Sequence, residues 1–160
     1  MDYLWTPWRY RYVAASKNVG DCVFCNAHGA NRDEEWLIVL RAVKNFVILN
    51  RYPYTSGHVM IVPYVHTADF SGLERDTAAE MMLLLQRVQA AIDDVYHPDG
   101  FNLGMNLGRS AGAGIENHLH MHLVPRWTGD TNFMTTLSET RLEPEELSTT
   151  YTKLRKALAQ

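Results

Sequence analysis

Glu116-Asn-His118-Leu-His120-Met-His122-Leu-Val-Pro125-Arg126-Trp127 alternates histidine with apolar residues. A period of two is the signature of a strand, in which side chains at i, i+2 and i+4 share a face. The pattern predicts a strand from His118 to Pro125. His118, His120 and His122 would then line one face, roughly 6.6 Å apart from one to the next, with Leu119, Met121 and Leu123 directed into the core. A row of imidazoles on one face has little use as packing. Two chemistries fit it: a metal site, or a nucleophile with oriented helpers.

Upstream, Asn106-Leu-Gly-Arg-Ser-Ala-Gly-Ala-Gly-Ile115 is a glycine-rich loop running into this strand. Such a loop brings backbone N–H groups close to an anion, or simply turns tightly. Before it, Phe101 to Leu107 alternates like a strand. Trp36 to Leu40, Phe46 to Asn50 and His58 to Pro63 read as three further strands with short connections, which favours an antiparallel meander. Apolar residues at 81, 84, 85, 88, 91, 92 and 95 make a helical stripe, with Asp76 or Thr77 as cap, Glu80 completing a capping box, and Pro98 and Gly100 as stop. A weaker helical pattern covers 143 to 158. The order β-β-β-α-β-β-α predicts an α+β domain with a mostly antiparallel five-stranded sheet and two main helices. Residues 1 to 35 read as an irregular N-terminal segment, its Trp5, Trp8, Tyr10 and Tyr12 available for packing on the domain or on a second subunit.

With 160 residues, the chain is expected to form a single domain, 1–160. Its formal net charge of −3 argues against a nucleic-acid coat. It has no apolar run of membrane-spanning length and no signal peptide, so a cytoplasmic location is expected. Cysteine occurs twice, as Cys22-Val-Phe-Cys25, while histidine occurs seven times. In a reducing compartment the cysteine pair is a redox motif, half of a metal site, or two small buried thiols. It reads as part of a loop.

His118-Leu-His120-Met-His122-Leu-Val resembles the signature of the histidine triad (HIT) superfamily of nucleotide hydrolases and transferases. Further segments are similar to its bacterial branch related to diadenosine tetraphosphate phosphorylase: Leu4-Trp-Thr-Pro-Trp-Arg9, Cys22-Val-Phe-Cys25, Leu49-Asn-Arg-Tyr-Pro-Tyr54, Gly57-His58, Val62-Pro-Tyr-Val-His66, Gly100 to Gly108, Ala111-Gly-Ala-Gly-Ile115, Val124-Pro-Arg-Trp127 and Gly129 to Phe133. The resemblance implies a HIT-like fold, usually paired into a homodimer.

It also implies roles. His120 would be the nucleophile that attacks the α-phosphorus of a nucleotide, giving a covalent nucleotidyl-histidine. His122 would contact phosphate and assist the leaving group, and His58 would support the triad. Asn50 would hold the ribose. Asn106 would contact phosphate, alongside Arg51 and the loop residues Ala113, Gly114 and Ile115. Many family hydrolases carry Gln four residues before the first triad histidine; Gly114 stands there, as in the phosphorylase-like branch, which leaves room for inorganic phosphate. In zinc-containing relatives the ligands correspond to Cys22, Cys25, His66 and His118, a set expected to hold a structural zinc, and no organic cofactor is expected. The implied reaction is phosphorolysis of diadenosine tetraphosphate to ATP and ADP. The alternatives are hydrolysis of nucleoside phosphoramidates or other nucleotide conjugates, and nucleotide binding with little turnover. Arg109 and Arg126 could attract polyphosphate or stay solvated, Trp127 could stack on adenine or pack, and His28 and His97 read as surface residues.

Overall fold

The structure is a computed structural model that describes residues 22–130 and 145–159. The N-terminal aromatic residues Trp5, Trp8, Tyr10 and Tyr12, the Leu4–Arg9 motif, the stretch from Thr131 to Phe133 and the start of the last helical pattern lie outside the described residues. The sheet is built from β1 (Ile38–Arg41), β2 (Asn45–Leu49), β3 (Val59–Pro63), β4 (Gly100–Gly104) and β5 (Met121–Arg126). Its order is β1-β2-β3-β5-β4, and every pairing is antiparallel. The first three strands form the meander that their short connections predict. The chain then crosses over through a long helix and returns as a β4–β5 hairpin, which puts the histidine strand beside β3.

β2 and β3 are buried on both faces. Their alternation separates two apolar layers. Val47, Leu49, Val59, Ile61 and Leu123 meet the helices α3 (Arg75–Tyr96) and α4 (Leu147–Leu158) on one face. Phe46, Ile48, Met60 and Val62 face the other way, onto Phe24 and Ala27 of α1 (Val23–Gly29). The stripe foreseen for α3 is the buried one, with Met81, Leu84, Leu85, Val88, Ala91 and Ile92 inward. No helix among the described residues is long and apolar enough to cross a membrane.

Three local expectations change. Residues 22–35 contain regular structure: α1, which Cys22 opens as N-cap, and the single turn α2 (Asp33–Trp36). The expected capping box at Thr77 and Glu80 is absent because α3 begins earlier, at Arg75. Glu80 instead accepts hydrogen bonds from the N–H groups of Val43 and Lys44 at 3.0 and 2.8 Å and from Asn45 Nδ2 at 2.8 Å. It thereby clamps the β1–β2 turn to the helix. Burial alone would raise the Glu80 carboxyl, but these donors prevail and hold it below the usual glutamate range. Finally, β5 starts at Met121, so His118 and His120 precede the strand; there the N–H of Leu119 bonds to the Thr67 carbonyl at 2.8 Å.

Candidate active site

All three triad histidines lie near the face covered by α1, away from α3 and α4. His118 and His120 are buried and His122 is half-buried. His122 lies opposite Met60 of β3, and His58 shares that face because it stands two residues before Met60.

Hydrogen-bond partners settle the tautomer of each ring. His118 Nε2–H donates to the Pro63 carbonyl at 2.8 Å, which leaves Nδ1 with a lone pair. His120 Nδ1–H donates to the carbonyl of His118 at 2.9 Å, so its Nε2 carries the lone pair. His58 Nδ1 accepts the Tyr54 N–H at 3.1 Å, and its Nε2–H therefore donates to His122 Nδ1 at 2.9 Å. The rings of His120 and His122 meet edge to face at 4.8 Å. Burial lowers the basicity of His120, and it pushes His118 and His122 down to about 4. All three rings are thus neutral near pH 7. A buried neutral imidazole with one nitrogen fixed by a carbonyl leaves a single lone pair capable of nucleophilic attack, here on His120 Nε2.

On the far side of His118, the ligand atoms of Cys22, Cys25, His66 and His118 lie within 4.8 Å of one another. Cys22 Sγ is 3.1 Å and Cys25 Sγ 3.7 Å from His118 Nδ1, and Cys25 Sγ is 3.3 Å from His66 Nδ1. Zn–S and Zn–N bonds of about 2.3 and 2.0 Å put neighbouring atoms of a tetrahedron roughly 3.3–3.8 Å apart, so the four residues fit zinc. The Pro63 bond holds His118 in the tautomer that a ligand needs.

The other expected site residues separate into near and far. Asn50 is beside the triad: its Nδ2 is 3.5 Å from His58 Nε2, and its Oδ1 accepts the Tyr52 N–H at 2.9 Å. Asn106 and His122 line one open cleft together with Tyr54, Asn102, Gly104 and Ala111. In the glycine-rich loop a 3-10 turn, Arg109–Ala111, closes with Gly112 N–H on the Arg109 carbonyl at 2.9 Å, and Gly108 and Gly112 take φ of +81° and +84°, which glycine adopts without strain. Ala113 N–H bonds back to Gly108 at 3.4 Å, and Ile115 packs on the Phe24 layer. Arg51 is exposed and donates to the Glu35 carbonyl at 3.2 Å; Arg109 is exposed and pairs with Glu116 at 3.0 Å. Arg126 is held by Asp130 at 2.5 and 2.7 Å. Trp127 is half-buried.

His28 is half-buried: its ring packs 5.8 Å from Phe46 and 5.3 Å from Tyr64. His97 does stay exposed, ending α3 in the left-handed region at φ 46°. Sequence reasoning missed Phe24, whose ring lies 5.3 Å from His118 and 5.1 Å from His120. It also missed Tyr54, stacked on His58 at 4.9 Å. The available signal was position: Phe24 sits between the cysteines and Tyr54 in the turn before His58.

The HIT domain family matches residues 32–129, and the chain belongs to that family. It is 39% identical over 158 residues to the AP-4-A phosphorylase of Mycobacterium tuberculosis, covering 94% of this chain and 80% of that protein. The bis(5'-adenosyl)-triphosphatase of Dictyostelium discoideum is 27% identical over 82 residues, 51% of this chain and 54% of that protein. In structure, the chain is similar to a Zn-bound histidine triad family protein from Mycobacterium smegmatis, with TM-score 0.71, 30% identity and coverage of 87% and 94% of the two chains. It is likewise similar to a hypothetical histidine triad nucleotide-binding protein from Sulfolobus tokodaii, with TM-score 0.69, 31% identity and coverage of 86% and 92%. The family and these relatives place the chain among HIT nucleotidyl transferases and hydrolases.

Proposed function

We propose that the protein, a single HIT-like domain over residues 1–160, cleaves adenine dinucleoside polyphosphates through a covalent nucleotidyl-histidine, with phosphorolysis of diadenosine tetraphosphate to ATP and ADP as the preferred reaction. The observation that carries this reading is the His120 tautomer: Nδ1–H is tied to the His118 carbonyl at 2.9 Å, which leaves a neutral Nε2 for attack. In the first step Nε2 bonds to the α-phosphorus and the bond from phosphorus to the bridging oxygen breaks, releasing ATP. In the second an oxygen of inorganic phosphate attacks the same phosphorus, the P–N bond breaks, ADP leaves and His120 regains its lone pair. Dividing one displacement into two is the advantage of a covalent route.

His122, oriented by His58, contacts phosphate and assists protonation of the leaving group. Asn50 holds the ribose, Asn106 and the backbone of Ala113, Gly114 and Ile115 hold phosphate, and Arg51 adds long-range attraction. Cys22, Cys25, His66 and His118 would hold a structural zinc. Held there, it would tie α1 to the triad and would supply no water to the reaction. The 39% identity to a protein named AP-4-A phosphorylase and the Gly114 position favour phosphate as acceptor over water. A homodimer fits β4, an edge strand that leaves Leu103 55% exposed, and the free cysteines Cys22 and Cys25 fit a cytoplasmic location.

Incubating the protein with diadenosine tetraphosphate, with and without inorganic phosphate, tests the reading. Phosphate should accelerate turnover and shift the products from ATP and AMP to ATP and ADP. Rates and products indifferent to phosphate would reject phosphorolysis and leave hydrolysis.

A further inference from the structure

Resting on that functional reading, we propose that Asn102 is a phosphoryl-binding residue on the leaving-group side of the site. Its side-chain amide would donate to the chain that departs and then to the phosphate that replaces it. In the β4–β5 hairpin, Gly104 lies opposite His122, Asn102 opposite Val124 and Gly100 opposite Arg126. Asn102 therefore shares the face of His122, roughly 6.6 Å further along the hairpin. Opposite His122 the face is open: a Cβ at Gly104 would meet nothing within 4 Å. Asn102, Gly104, Asn106 and His122 all line the same open cleft.

The Asn102 amide has one allowed orientation. Arg126 Nη1 donates to Asn102 Oδ1 at 2.6 Å, while its Nε and Nη2 donate to Asp130 at 2.5 and 2.7 Å. A guanidinium has no acceptor, so the oxygen of Asn102 must face it. The amide N–H groups are thereby turned away from Arg126, on a side chain that itself lines the cleft shared with His122. The ion pair behind Asn102 is close to neutral. The donor offered to the cleft is thus an uncharged amide, which can recognise a phosphoryl oxygen without retaining a polyanionic product.

In a double displacement at phosphorus, the acceptor enters where the leaving group departs, so one subsite serves both. The cleft borders His122, the residue assigned to the leaving group, and it does not include the nucleophile. A phosphoryl group held there by Asn102 would be the departing polyphosphate in the first step and the attacking phosphate in the second.

The test uses purified full-length protein with Asn102→Ala and Asn102→Asp. The aspartate keeps an oxygen for Arg126, which guards against simple loss of folding, while the alanine removes the amide donors without the negative charge that the aspartate adds. One arm measures KM for diadenosine tetraphosphate, which reports on the leaving chain. A second measures KM for inorganic phosphate at saturating dinucleotide, which reports on the acceptor. A third measures hydrolysis of an adenosine phosphoramidate without phosphate, where no phosphoryl leaving group exists. Loss of a hydrogen bond to a charged group predicts a rise of about tenfold or more in KM in the first or second arm, with phosphoramidate hydrolysis within about twofold of wild type. Phosphate and dinucleotide KM values unchanged in both variants, or equal losses in all three arms, would overturn the role of Asn102. Failure of the wild-type protein to turn over any dinucleoside polyphosphate would instead overturn the functional reading, and the proposal with it.

Discussion

The ring of Phe24, between Cys22 and Cys25 on α1, packs 5.1 Å from the ring of His120. The helix that opens at Cys22 and carries Cys25 thus packs on the proposed nucleophile, and the carbonyl of His118, a member of the candidate ligand cluster, accepts a hydrogen bond from it. The candidate metal cluster and the proposed nucleophile both pack against Phe24.

That packing makes the ligand cluster matter for turnover without touching substrate. Cys25→Ser should reduce zinc per chain well below stoichiometric, measured by metal analysis of dialysed protein, and lower the unfolding midpoint. Phe24→Ala, at a residue 2% exposed, should cost about 3–5 kcal/mol in denaturant unfolding. Zinc content unaffected by Cys25→Ser would remove Cys25 from the ligand set.

His120→Asn should abolish turnover while AMP binding, followed by calorimetry, persists. The two functions separate because asparagine resembles the imidazole in size but has no lone pair of comparable nucleophilicity. Mass spectrometry of quenched wild-type protein should show an added adenylate on the peptide containing His120, and the variant should show none.

His58 and His122 act as a unit through their 2.9 Å hydrogen bond. His58→Ala leaves His122 Nδ1 half-buried without its donor, and a general-acid contribution is commonly 10²–10⁴-fold, so a loss in kcat of about that order is expected from either single substitution. The double variant should lose little more than the worse single one. Independent, additive losses would separate their roles.

Acid should destabilise the fold through His122. Its folded value is pushed by burial from the usual 6.5 down to about 4. Between those values the unfolded chain binds a proton that the folded chain refuses, so stability falls as pH drops through this window, by up to about 1.4 kcal/mol per pH unit for one group. His122→Asn should flatten the curve by about one proton, measured by urea unfolding between pH 4 and 7. Superimposable slopes would show that His122 titrates normally.

A change remote from the triad should act on stability alone. Glu80→Ala removes the acceptor of the Val43 and Lys44 N–H groups and of the buried Asn45 amide. A cost of about 1–3 kcal/mol is expected in chemical unfolding, with KM unaltered.

Local pattern made much of this legible. The alternation in β2 and β3 and the stripe on α3 depend only on which side chains a strand or helix places on one face, so they were readable before any tertiary contact was known. The triad motif likewise marked His118, His120 and His122 and, through the resemblance, His58 and the Cys22, Cys25, His66 and His118 set. Glu80 was misread because a capping box and a clamp on a distant turn look alike in sequence. α1 was missed because Cys22-Val-Phe-Cys25 has no helical periodicity of its own; its burial against Phe46 and Ile48 makes it a helix.

The sequence by itself determined the family, the sheet-forming segments and the residue types available for chemistry, because each is written in short-range order. Tertiary structure decided which nitrogen of His118 and of His122 is left with a lone pair, which face of the sheet carries the candidate site and which way the Asn102 amide oxygen turns. Those are settled by partners far away in the chain: the Pro63 carbonyl on His118, His58 on His122 and Arg126 on Asn102. A hydrogen bond between distant residues exists only once folding has brought them together.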